Sequence, residues 1–394
     1  MKKNIKIDRP ADCCGCGACA NSCARGAITM QEDAAGFIFP MVDEEKCVEC
    51  GRCIESCVFT KPGAGAGEKP AVYAAVIKDK AVLKNSSSGG IFSALAAAVL
   101  DKGGAVFGAA WTKDMSLAHI CVENKADLAK LRGSKYVQSA TGDAFLQVKK
   151  LLAAGRYVCY CGTPCQIAGL KAFLGKEEEK LLTIDLVCHG VPSMKMLRDD
   201  LKFVAGDQYG ALCDIKFRDK SRGWGVKGSL MTGDSKIKYT AGTSPYYFYF
   251  LKGEVYRESC YNCRFPTENR QGDITLGDYW GVRLALAAKL DGADPEEGIS
   301  CVLVNSPKGK QWLKEIAPAI ALAPSDLQSV RKRNKQLTSP SVPLPEHETL
   351  LNGYLKDGYT AFCRGYKQHT KDHMVRMAKD MIPAKVKRRL NELR

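Results

Sequence analysis

Two stretches of this chain share one cysteine spacing: CCGCGACANSC at residues 13–23 and CVECGRCIESC at residues 47–57. Each contains the run C-x2-C-x2-C-x3-C, the ligand spacing of protein modules that hold two 4Fe-4S clusters. In that arrangement three cysteines of one run and the fourth cysteine of the other run bind each cluster. The sequence therefore predicts one cluster on Cys13, Cys16, Cys19 and Cys57 and a second on Cys47, Cys50, Cys53 and Cys23.

Disulfides and zinc are the alternatives for such clustered cysteines. Disulfides are typical of short secreted chains, whereas no apolar signal segment follows the initial Met1-Lys2-Lys3-Asn4. Zinc is usually bound by two cysteine pairs with a longer spacer. Ala24 and Val58 stand where a proline usually follows the fourth cysteine, which relaxes the turn but removes no ligand. We therefore expect iron–sulfur clusters, and we interpret the surplus Cys14 as a packed or free thiol.

The composition is that of a globular protein with several domains. A chain of 394 residues is long enough for two or three domains, each with its own core. Hydrophobic residues make up 45% and charged residues 26%, which is ordinary for a soluble protein. No stretch approaches 18 uninterrupted apolar residues, so no transmembrane segment is expected. Thiolates that bind iron need a reducing compartment, which predicts a cytoplasmic location.

The formal net charge of +15 raises the question of nucleic-acid binding. Two or three clusters held by thiolates would cancel part of this charge, since each oxidised cluster carries about two negative charges. Residues 371–394 hold eight Lys and Arg against three acids, with Met374, Met377, Met381 and Ile382 at roughly helical spacing. This basic tail is interpreted either as a contact for an acidic partner or membrane surface, or as a solvated helix. No RNA-binding aromatic signature or zinc finger accompanies the charge, so nucleic acid is not an expected partner.

The chain divides into a cysteine-rich head and a larger region of mixed α/β pattern. We predict a two-cluster domain at residues 1–61, a Gly-rich linker at 62–70 and a helical C-terminal region at 336–394 that includes the basic tail. Residues 71–150 and 151–335 form the two parts of the region between them. The expected fold class is multidomain α+β and α/β.

Hydrophobic periodicity places the elements of this region. Strands are expected at 72–77, 81–83, 156–160, 181–187, 274–276 and 301–304. Helices are expected at 91–102, around 146–152, after Pro164 and from Ser193, with helical segments beyond Pro340. Helices alternating with strands favour a parallel sheet flanked by helices. After residue 210 the chain becomes β-rich, and this part includes the aromatic run at 246–250.

A second group of cysteines follows the ends of predicted strands. Cys161 and Cys165 lie in the turn CGTPCQ, Cys188 follows the next strand, and Cys260 and Cys263 form a C-x2-C pair. Ligands collect at the carboxyl ends of parallel strands, so Cys165 and Cys188 are expected to meet there. Together with Cys260 and Cys263 they predict a third 4Fe-4S cluster. A zinc site and a redox-active Cys161–Cys165 dithiol are the alternatives.

Two polar loops are candidates for phosphate binding. Residues 85–90, NSSSGG, precede a predicted helix, whose first backbone N–H groups and dipole favour an anion. The same pattern is also that of a simple helix N-cap. Residues 131–136, LRGSKY, add a cation and hydroxyl groups, although a solvated helix end would have the same composition.

Several of these blocks, in this order, resemble the β-subunit family of coenzyme F420 hydrogenases and dehydrogenases. The blocks are SSSGG at 86–90, GSKY at 133–136, CGTPCQ at 161–166, CHGVPS at 188–193, SCYNC at 259–263 and GDYW at 277–280. The likeness covers about residues 70–320, behind a fused two-cluster bacterial ferredoxin domain. It implies a flavin-binding α/β domain that carries FAD. It also implies an iron–sulfur oxidoreductase that passes electrons between clusters, FAD and a small-molecule or deazaflavin acceptor.

The resemblance assigns candidate site residues. The flavin candidates are Ser88, Gly89, Gly90, Lys135, Thr163 and Gln166, and the third-cluster candidates are Cys165, Cys188, Cys260 and Cys263. The expected partners are ferredoxin or another redox protein and the small-molecule acceptor.

His189 and Asp278 follow strands and are candidates for proton transfer. A purely structural alternative is that His189 caps a helix or orients Cys188. Two other functions stay open: an electron-relay subunit without its own substrate, and a cluster-bearing protein that binds nucleic acid.

Overall fold

The computed structural model describes residues 4–60, 69–282 and 284–368, together with the isolated positions 374, 378 and 386. Most of the predicted linker at 62–70 and most of the basic tail at 371–394 lie outside the described residues. Among the helices of the described part, none has the length and hydropathy required to cross a lipid bilayer.

Helices and strands alternate along most of the chain. The helices are α1 (Ala18–Ser22), α2 (Arg52–Glu55), α3 (Lys80–Lys84), α4 (Ile91–Asp101), α5 (Ala144–Ala153), α6 (Pro164–Leu174), α7 (Met194–Ala205), α8 (Pro245–Lys252), α9 (Glu258–Tyr261), α10 (Leu284–Ala287), α11 (Pro307–Glu315), α12 (Leu327–Arg331), α13 (His347–Asp357) and α14 (Tyr359–Gln368). The strands are β1 (Ile28–Glu32), β2 (Ile38–Val42), β3 (Ala71–Ile77), β4 (Ala105–Trp111), β5 (Leu117–Val122), β6 (Val158–Gly162), β7 (Leu181–Leu186), β8 (Leu212–Lys216), β9 (Gly228–Thr232), β10 (Ser235–Tyr239), β11 (Ile274–Asp278), β12 (Ser300–Val304) and β13 (Ile320–Ser325).

The N-terminal head is a ferredoxin-type module with an internal repeat. Each cysteine run contains a short helix, α1 or α2, and the antiparallel pair β1–β2 lies between the two runs. Gly17 and Gly51 occupy equivalent places in the runs and both have a left-handed backbone, with φ of 75° and 74°. Glycine tolerates this conformation without strain, so each run can turn sharply between its second and third cysteines.

A mixed sheet of eight strands forms the centre of the larger region, in the order β13-β3-β12-β11-β7-β6-β4-β5. The four strands β4, β6, β7 and β11 are parallel, and the remaining pairs are antiparallel. The parallel sheet predicted from the alternation is therefore correct only for these central strands. Because β3 and β11 are both antiparallel to β12, they run in the same direction, and the loops after β3, β6, β7 and β11 share one edge of the sheet. We call it the carboxyl edge.

A second, smaller sheet, β10-β9-β8, packs beside α7, α8, α13 and α14. The aromatic run at 246–250, predicted to belong to a β-rich part, forms helix α8 instead. Ser244 caps this helix by accepting a hydrogen bond from the backbone N–H of Tyr247, and Pro245 occupies its first turn. All five aromatic side chains of the run are buried, because α8 is enclosed within the aromatic core of this part.

One further prediction was wrong and the others were close. Residues 81–83 lie in helix α3 rather than in a strand, because the Asp79 side chain accepts a hydrogen bond from the Val82 N–H and starts a helical turn. The predicted strands near residues 72–77, 156–160, 181–187, 274–276 and 301–304 all occur within a few residues of their expected bounds. Helices α4, α6 and α7 begin where the glycine, proline and serine signals placed them.

A buried histidine joins the sheet to the turn after β6. Nε2 of His119 donates to the carbonyl of Cys161 at 3.1 Å, so Nδ1 carries no proton and accepts from the hydroxyl of Ser139, also at 3.1 Å. The ring stacks on Tyr160 with the centroids 5.1 Å apart. Burial is the main cause that lowers the pKa of His119 to about 4, so the folded protein holds it neutral.

His119 gives the first testable prediction, the pH dependence of stability. Between about pH 6.5 and pH 4 the unfolded chain binds a proton here and the folded protein does not, so stability falls as the pH falls through this window. At pH 5 the expected cost is about 2 kcal/mol relative to pH 7.5. The measurement is the midpoint of urea unfolding at both pH values for the native protein and the His119→Gln variant. The native protein should lose more stability than the variant; equal losses would show that His119 is not the group that titrates.

Candidate iron–sulfur and redox site

The first group of thiols contains three cysteines of the first run and one of the second. The thiol of Cys13 lies close enough to Cys16 and Cys57 to interact with their charges. The charges of Cys13, Cys16 and Cys57 all act on the thiol of Cys19. This crossed grouping is the arrangement that the spacing predicts. Burial raises the pKa of Cys13, Cys19 and Cys57. The Gly15 N–H donates to the Sγ of Cys13 at 3.3 Å, and hydrogen bonds of this kind tune the potential of a cluster.

The second group lies at the outer side of the module. Cys53 feels the charge of Cys47, and Cys23 packs against the small apolar cluster that contains Cys53. The Sγ of Cys23 accepts a hydrogen bond from the Ala27 N–H at 3.3 Å. Cys50 is exposed. The same apolar cluster also contains Cys19 and borders Cys57, so both cysteine runs contribute to it, and the binding of Cys23 with the second run stays a prediction.

The third group of thiols lies at the carboxyl edge of the sheet. Cys165 is the second residue of α6, Cys188 follows β7, and Cys260 and Cys263 belong to α9 and the turn after it. The charges of the other three cysteines act on Cys188. Cys165 and Cys263 also act on Cys260, and Cys165 acts on Cys263. Burial raises the pKa of Cys260 to about 12 and that of Cys263 to about 11. Four cysteines from three separate segments thus lie together.

The donor sets are all sulfur and come in fours, which fits cubane clusters. In the described part of the chain, no group of three or more His, Cys, Asp or Glu is arranged to hold a single metal ion. The two observations are compatible, because a cubane has an iron at each of four corners and keeps its thiolates further apart than the ligands of one ion.

Cys14 connects the first and third groups. Its thiol interacts with the thiols of Cys16 of the first group and Cys165 of the third, and this interaction raises the pKa of Cys14. The contact with Cys14 is the main cause that lowers the pKa of Cys165 to about 7. Cys161 is not part of this arrangement, since the charges around its thiol are those of Lys135 and Asp185. The sequence left Cys14 without a role, and only the folded chain shows what it contacts.

The six flavin candidates form hydrogen bonds or close contacts within the protein. The N–H of Gly89 donates to the Ser300 hydroxyl at 2.9 Å, and the Ser88 hydroxyl donates to the Ile299 carbonyl at 2.9 Å. Gly90 stands at the N-terminus of α4 with a φ of 79°. These bonds fix the 85–90 loop against β12, and a contact with a flavin stays a prediction for them.

The other three candidates are also engaged. Thr163 and Gln166 form a capping box at the start of α6, and Gln166 also donates to the Ser139 hydroxyl at 3.0 Å. The Nζ of Lys135 donates to the Arg132 carbonyl at 2.7 Å, and burial lowers the pKa of Lys135 to about 8.

The two polar loops predicted from the sequence meet in the structure. The backbone N–H and the hydroxyl of Ser134 both donate to the hydroxyl oxygen of Ser87, at 2.5 and 2.9 Å. Next to Ser134, Gly133 is exposed, and a Cβ built there would meet nothing within 4 Å. The loops at 85–90 and 131–136 therefore form one continuous surface at the carboxyl edge.

Basic and aromatic residues from other segments surround these loops. Lys220 donates through Nζ to the Ser88 carbonyl at 2.6 Å, and Arg218 donates through Nη2 to the Ser87 carbonyl at 3.3 Å. The guanidinium of Arg218 lies 5.0 Å from the ring centroid of Trp280, which stacks on Trp224 with the centroids 4.5 Å apart. Trp280 ends the GDYW block, but Arg218, Lys220 and Trp224 lie in a separate segment without such a block, so no local signal in the sequence could have grouped them with it.

The two candidates for proton transfer lie near each other. Asp278 accepts from Nη1 of Arg218 at 2.7 Å, and its charge also acts on His189. Burial is the larger influence and lowers the pKa of His189. Ser193, and not His189, caps helix α7, where it accepts from the Met196 N–H at 3.3 Å; the alternative in which His189 orients Cys188 stays a prediction.

A cavity of about 380 Å³ opens beside the stacked tryptophans. Trp280 lines it, together with Tyr279, Ser325, Lys332 and Arg333. The cavity thus combines aromatic surface with two cationic side chains and the carboxylate of Asp326, and it shares Trp280 with the surroundings of Arg218.

Comparison with known proteins assigns the whole span from residue 12 to residue 329, apart from short intervals, to three family models. The model for the C terminus of the coenzyme F420 hydrogenase/dehydrogenase beta subunit matches residues 155–329, and the model for its N-terminal part matches residues 72–145. The model for a 4Fe-4S dicluster domain matches residues 12–60.

Among solved structures, the chain is similar to a chain of the F420-reducing NiFe hydrogenase complex from Methanosarcina barkeri, solved with xenon derivatization. The identity is 20% and the TM-score 0.48, and the alignment covers 73% of this chain and 93% of that chain. No curated protein sequence matches the chain significantly.

The crossed arrangement of the first two groups predicts the result of double substitutions. With about four irons per cluster, Cys57→Ala should lower the iron content by about four per chain. Adding Cys13→Ala should remove no more, because both residues belong to the first group, whereas adding Cys47→Ala should remove about four more. Iron and sulfide assays on protein purified without oxygen measure this. Cys213→Ala, at an exposed thiol outside the groups, is the control. The opposite order of losses in the two double variants would mean that each run binds its own cluster.

Proposed function

The chain belongs to the coenzyme F420 hydrogenase/dehydrogenase beta subunit family, and on that premise we propose that it is an iron–sulfur flavoprotein oxidoreductase. In this proposal electrons pass between the ferredoxin-type clusters, a third cluster, FAD and a small-molecule acceptor, of which a deazaflavin of the F420 type is one case. The electrons are exchanged with ferredoxin or another redox protein.

The observation that carries the proposal is the contact of Cys14 with Cys16 and Cys165. It links the thiols of the first group to those of the third group through one intervening side chain. Electron transfer needs redox centres that lie close together. The contact through Cys14 indicates that the first and third thiol groups lie close to each other. A module that bound iron only for stability would not need to place its first cysteine run against the four thiols of the third group.

The chemistry of the bound groups explains why one chain would carry both kinds. A cluster exchanges one electron at a time, whereas a flavin can hold two and transfer them as a hydride. The protein's part is to shield the thiol groups, most of whose cysteines are half-buried, from water and to place positive charge where an anionic cofactor binds. His189 and Asp278, which interact at the carboxyl edge, are the proposed proton carriers.

We propose that the phosphates of FAD bind beside the joined loops at 85–90 and 131–136. Three cations, Lys135, Arg218 and Lys220, lie at these loops. Arg218 is paired with Asp278, Glu297 also acts on Lys220, and Asp214 acts on Lys135. Backbone groups next to an open glycine and a cluster of cations are the features that phosphate sites use. The tryptophan pair and its cavity are the proposed place for a planar acceptor, since aromatic surface and cationic side chains suit an anionic ring system.

A second function is favoured by one observation. The six residues predicted to hold the flavin already form bonds or close contacts within the protein. A chain that lacked FAD would be an electron-relay subunit whose substrate reacts on a partner protein.

Purification without oxygen, followed by an absorption spectrum and assays of iron, sulfide and FAD, tests these proposals. We expect about twelve irons, about twelve sulfides and about one FAD per chain. About twelve irons without flavin would identify the relay subunit. Zinc in place of iron, or iron without sulfide, would overturn both functions.

The charge at the proposed phosphate site gives a separate prediction. Lys220→Met should weaken FAD binding about tenfold, because a hydrogen bond to a charged partner contributes roughly 1.5–3 kcal/mol. The iron content should not change, since Lys220 contacts none of the thiol groups in the described structure. FAD retained after gel filtration is the measurement, and Lys113→Met, at an exposed lysine, is the matched control. Equal FAD retention in the two variants would exclude this site.

A further inference from the structure

We propose that Arg257 is a shared positive charge that raises the reduction potentials of the first and third clusters together. The inference rests on the proposed function, because it requires clusters on both thiol groups. It goes beyond that function because it assigns one residue a role in setting the reduction potentials of the two clusters that the Cys14 contact joins.

The position of Arg257 is fixed by its place in the chain. It precedes helix α9, three residues before Cys260, and its backbone N–H donates to the Val191 carbonyl at 2.9 Å. The side chain extends toward the first cysteine run, where Nε donates to the Cys13 carbonyl at 2.6 Å. One residue thus joins the segment that carries two thiols of the third group to the loop that carries three thiols of the first.

The guanidinium is enclosed on all sides. Arg257 is 1% exposed, and its charged group lies 3.9 Å from the ring centroid of Phe39. Nη1 donates to Oε1 of Gln138 at 3.3 Å, whereas Nη2 is buried and has no hydrogen-bond partner among the residues that the structure describes. The planar group is therefore held in one orientation with one donor nitrogen unused.

No carboxylate neutralises this charge. Within residues 4–60, 69–282 and 284–368, no Asp or Glu side chain forms an ion pair with Arg257, while the other deeply buried arginines, Arg218 and Arg270, are paired with Asp278 and Asp185. An isolated buried charge is costly, so buried charges are normally paired. The negative charge that suits Arg257 is that of the thiolate-bound clusters on either side of it.

The charge of Arg257 acts on thiols of both groups. Burial raises the pKa of Cys13 and that of Cys260, and the Arg257 charge opposes the rise in each case. The same charge is among the causes that lower the pKa of Cys165. A group that favours thiolate at Cys13, Cys165 and Cys260 also favours the additional negative charge that a cluster gains on reduction. Burial keeps this effect from being screened by solvent.

Potentiometric titration followed by electron paramagnetic resonance tests the inference on the holoprotein. In Arg257→Gln the potentials of the first and third clusters should both shift to more negative values, and Arg257→Lys, which keeps the charge, should restore most of the shift. Arg52→Gln removes an exposed arginine beside a cysteine of the second group and should shift the first and third clusters much less. The second cluster provides an internal reference in the native protein and in the two Arg257 variants.

The outcomes separate this inference from the proposed function. Iron-replete Arg257→Gln protein with unchanged potentials would overturn the role of Arg257 and leave the function intact. Native protein without clusters would overturn the function itself. If the Arg257→Gln protein does not retain iron, the iron content and potentials of the Arg257→Lys protein distinguish a role of the charge from a role of the hydrogen bonds. Full iron content with near-native potentials would support the charge, and equal loss of iron would show that Arg257 acts only through its hydrogen bonds.

Discussion

The close approach of the first cysteine run to the carboxyl edge of the sheet is the constraint on which the rest of the structure depends. Three glycines make it possible. A Cβ at Gly15 would lie 2.4 Å from Nε2 of Gln138, one at Gly17 would lie 2.2 Å from Oγ1 of Thr141, and one at Gly169 would lie 2.9 Å from the Cys16 Sγ. Side chains at these places would push the two parts of the molecule apart and break the contact between the first and third thiol groups.

Hydrogen bonds from the larger region hold the cysteine run in this position. Arg257, Gln138 and Thr141 donate to the backbone carbonyls of Cys13, Cys14 and Cys16, respectively. These carbonyls are removed from water by the contact and need such partners. These hydrogen bonds therefore fix the ferredoxin-type module against the larger region of the chain. Its first thiol group shares one rigid environment with the third group, and the second group remains at the outer side, where Cys50 is exposed.

The elements that were predicted correctly are those with a strong local cause. The strands at 71–77 and 181–186 and the helices after Gly90, Pro164 and Ser193 are fixed by apolar periodicity and by residues that start helices. The errors came from weaker signals. Three apolar residues at 81–83 fit a strand or a helix equally well, and the Asp79 cap decided for the helix. The aromatic run at 246–250 has strand-like composition, and its burial inside the aromatic core overrode that preference.

The repeated cysteine spacing was enough to predict a 4Fe-4S dicluster domain, and the ordered sequence blocks were enough to predict the family, because iron–sulfur ligation requires thiolates at short, fixed separations. Only the tertiary structure decided how these parts interact. Arg218, Trp224 and Arg257 follow no motif, and Cys14 is simply an extra cysteine in the sequence. Their surroundings arise because the chain brings together residues that are up to 244 positions apart, as in the contact of Arg257 with Cys13. Long-range packing of this kind leaves no local periodicity from which it could be predicted.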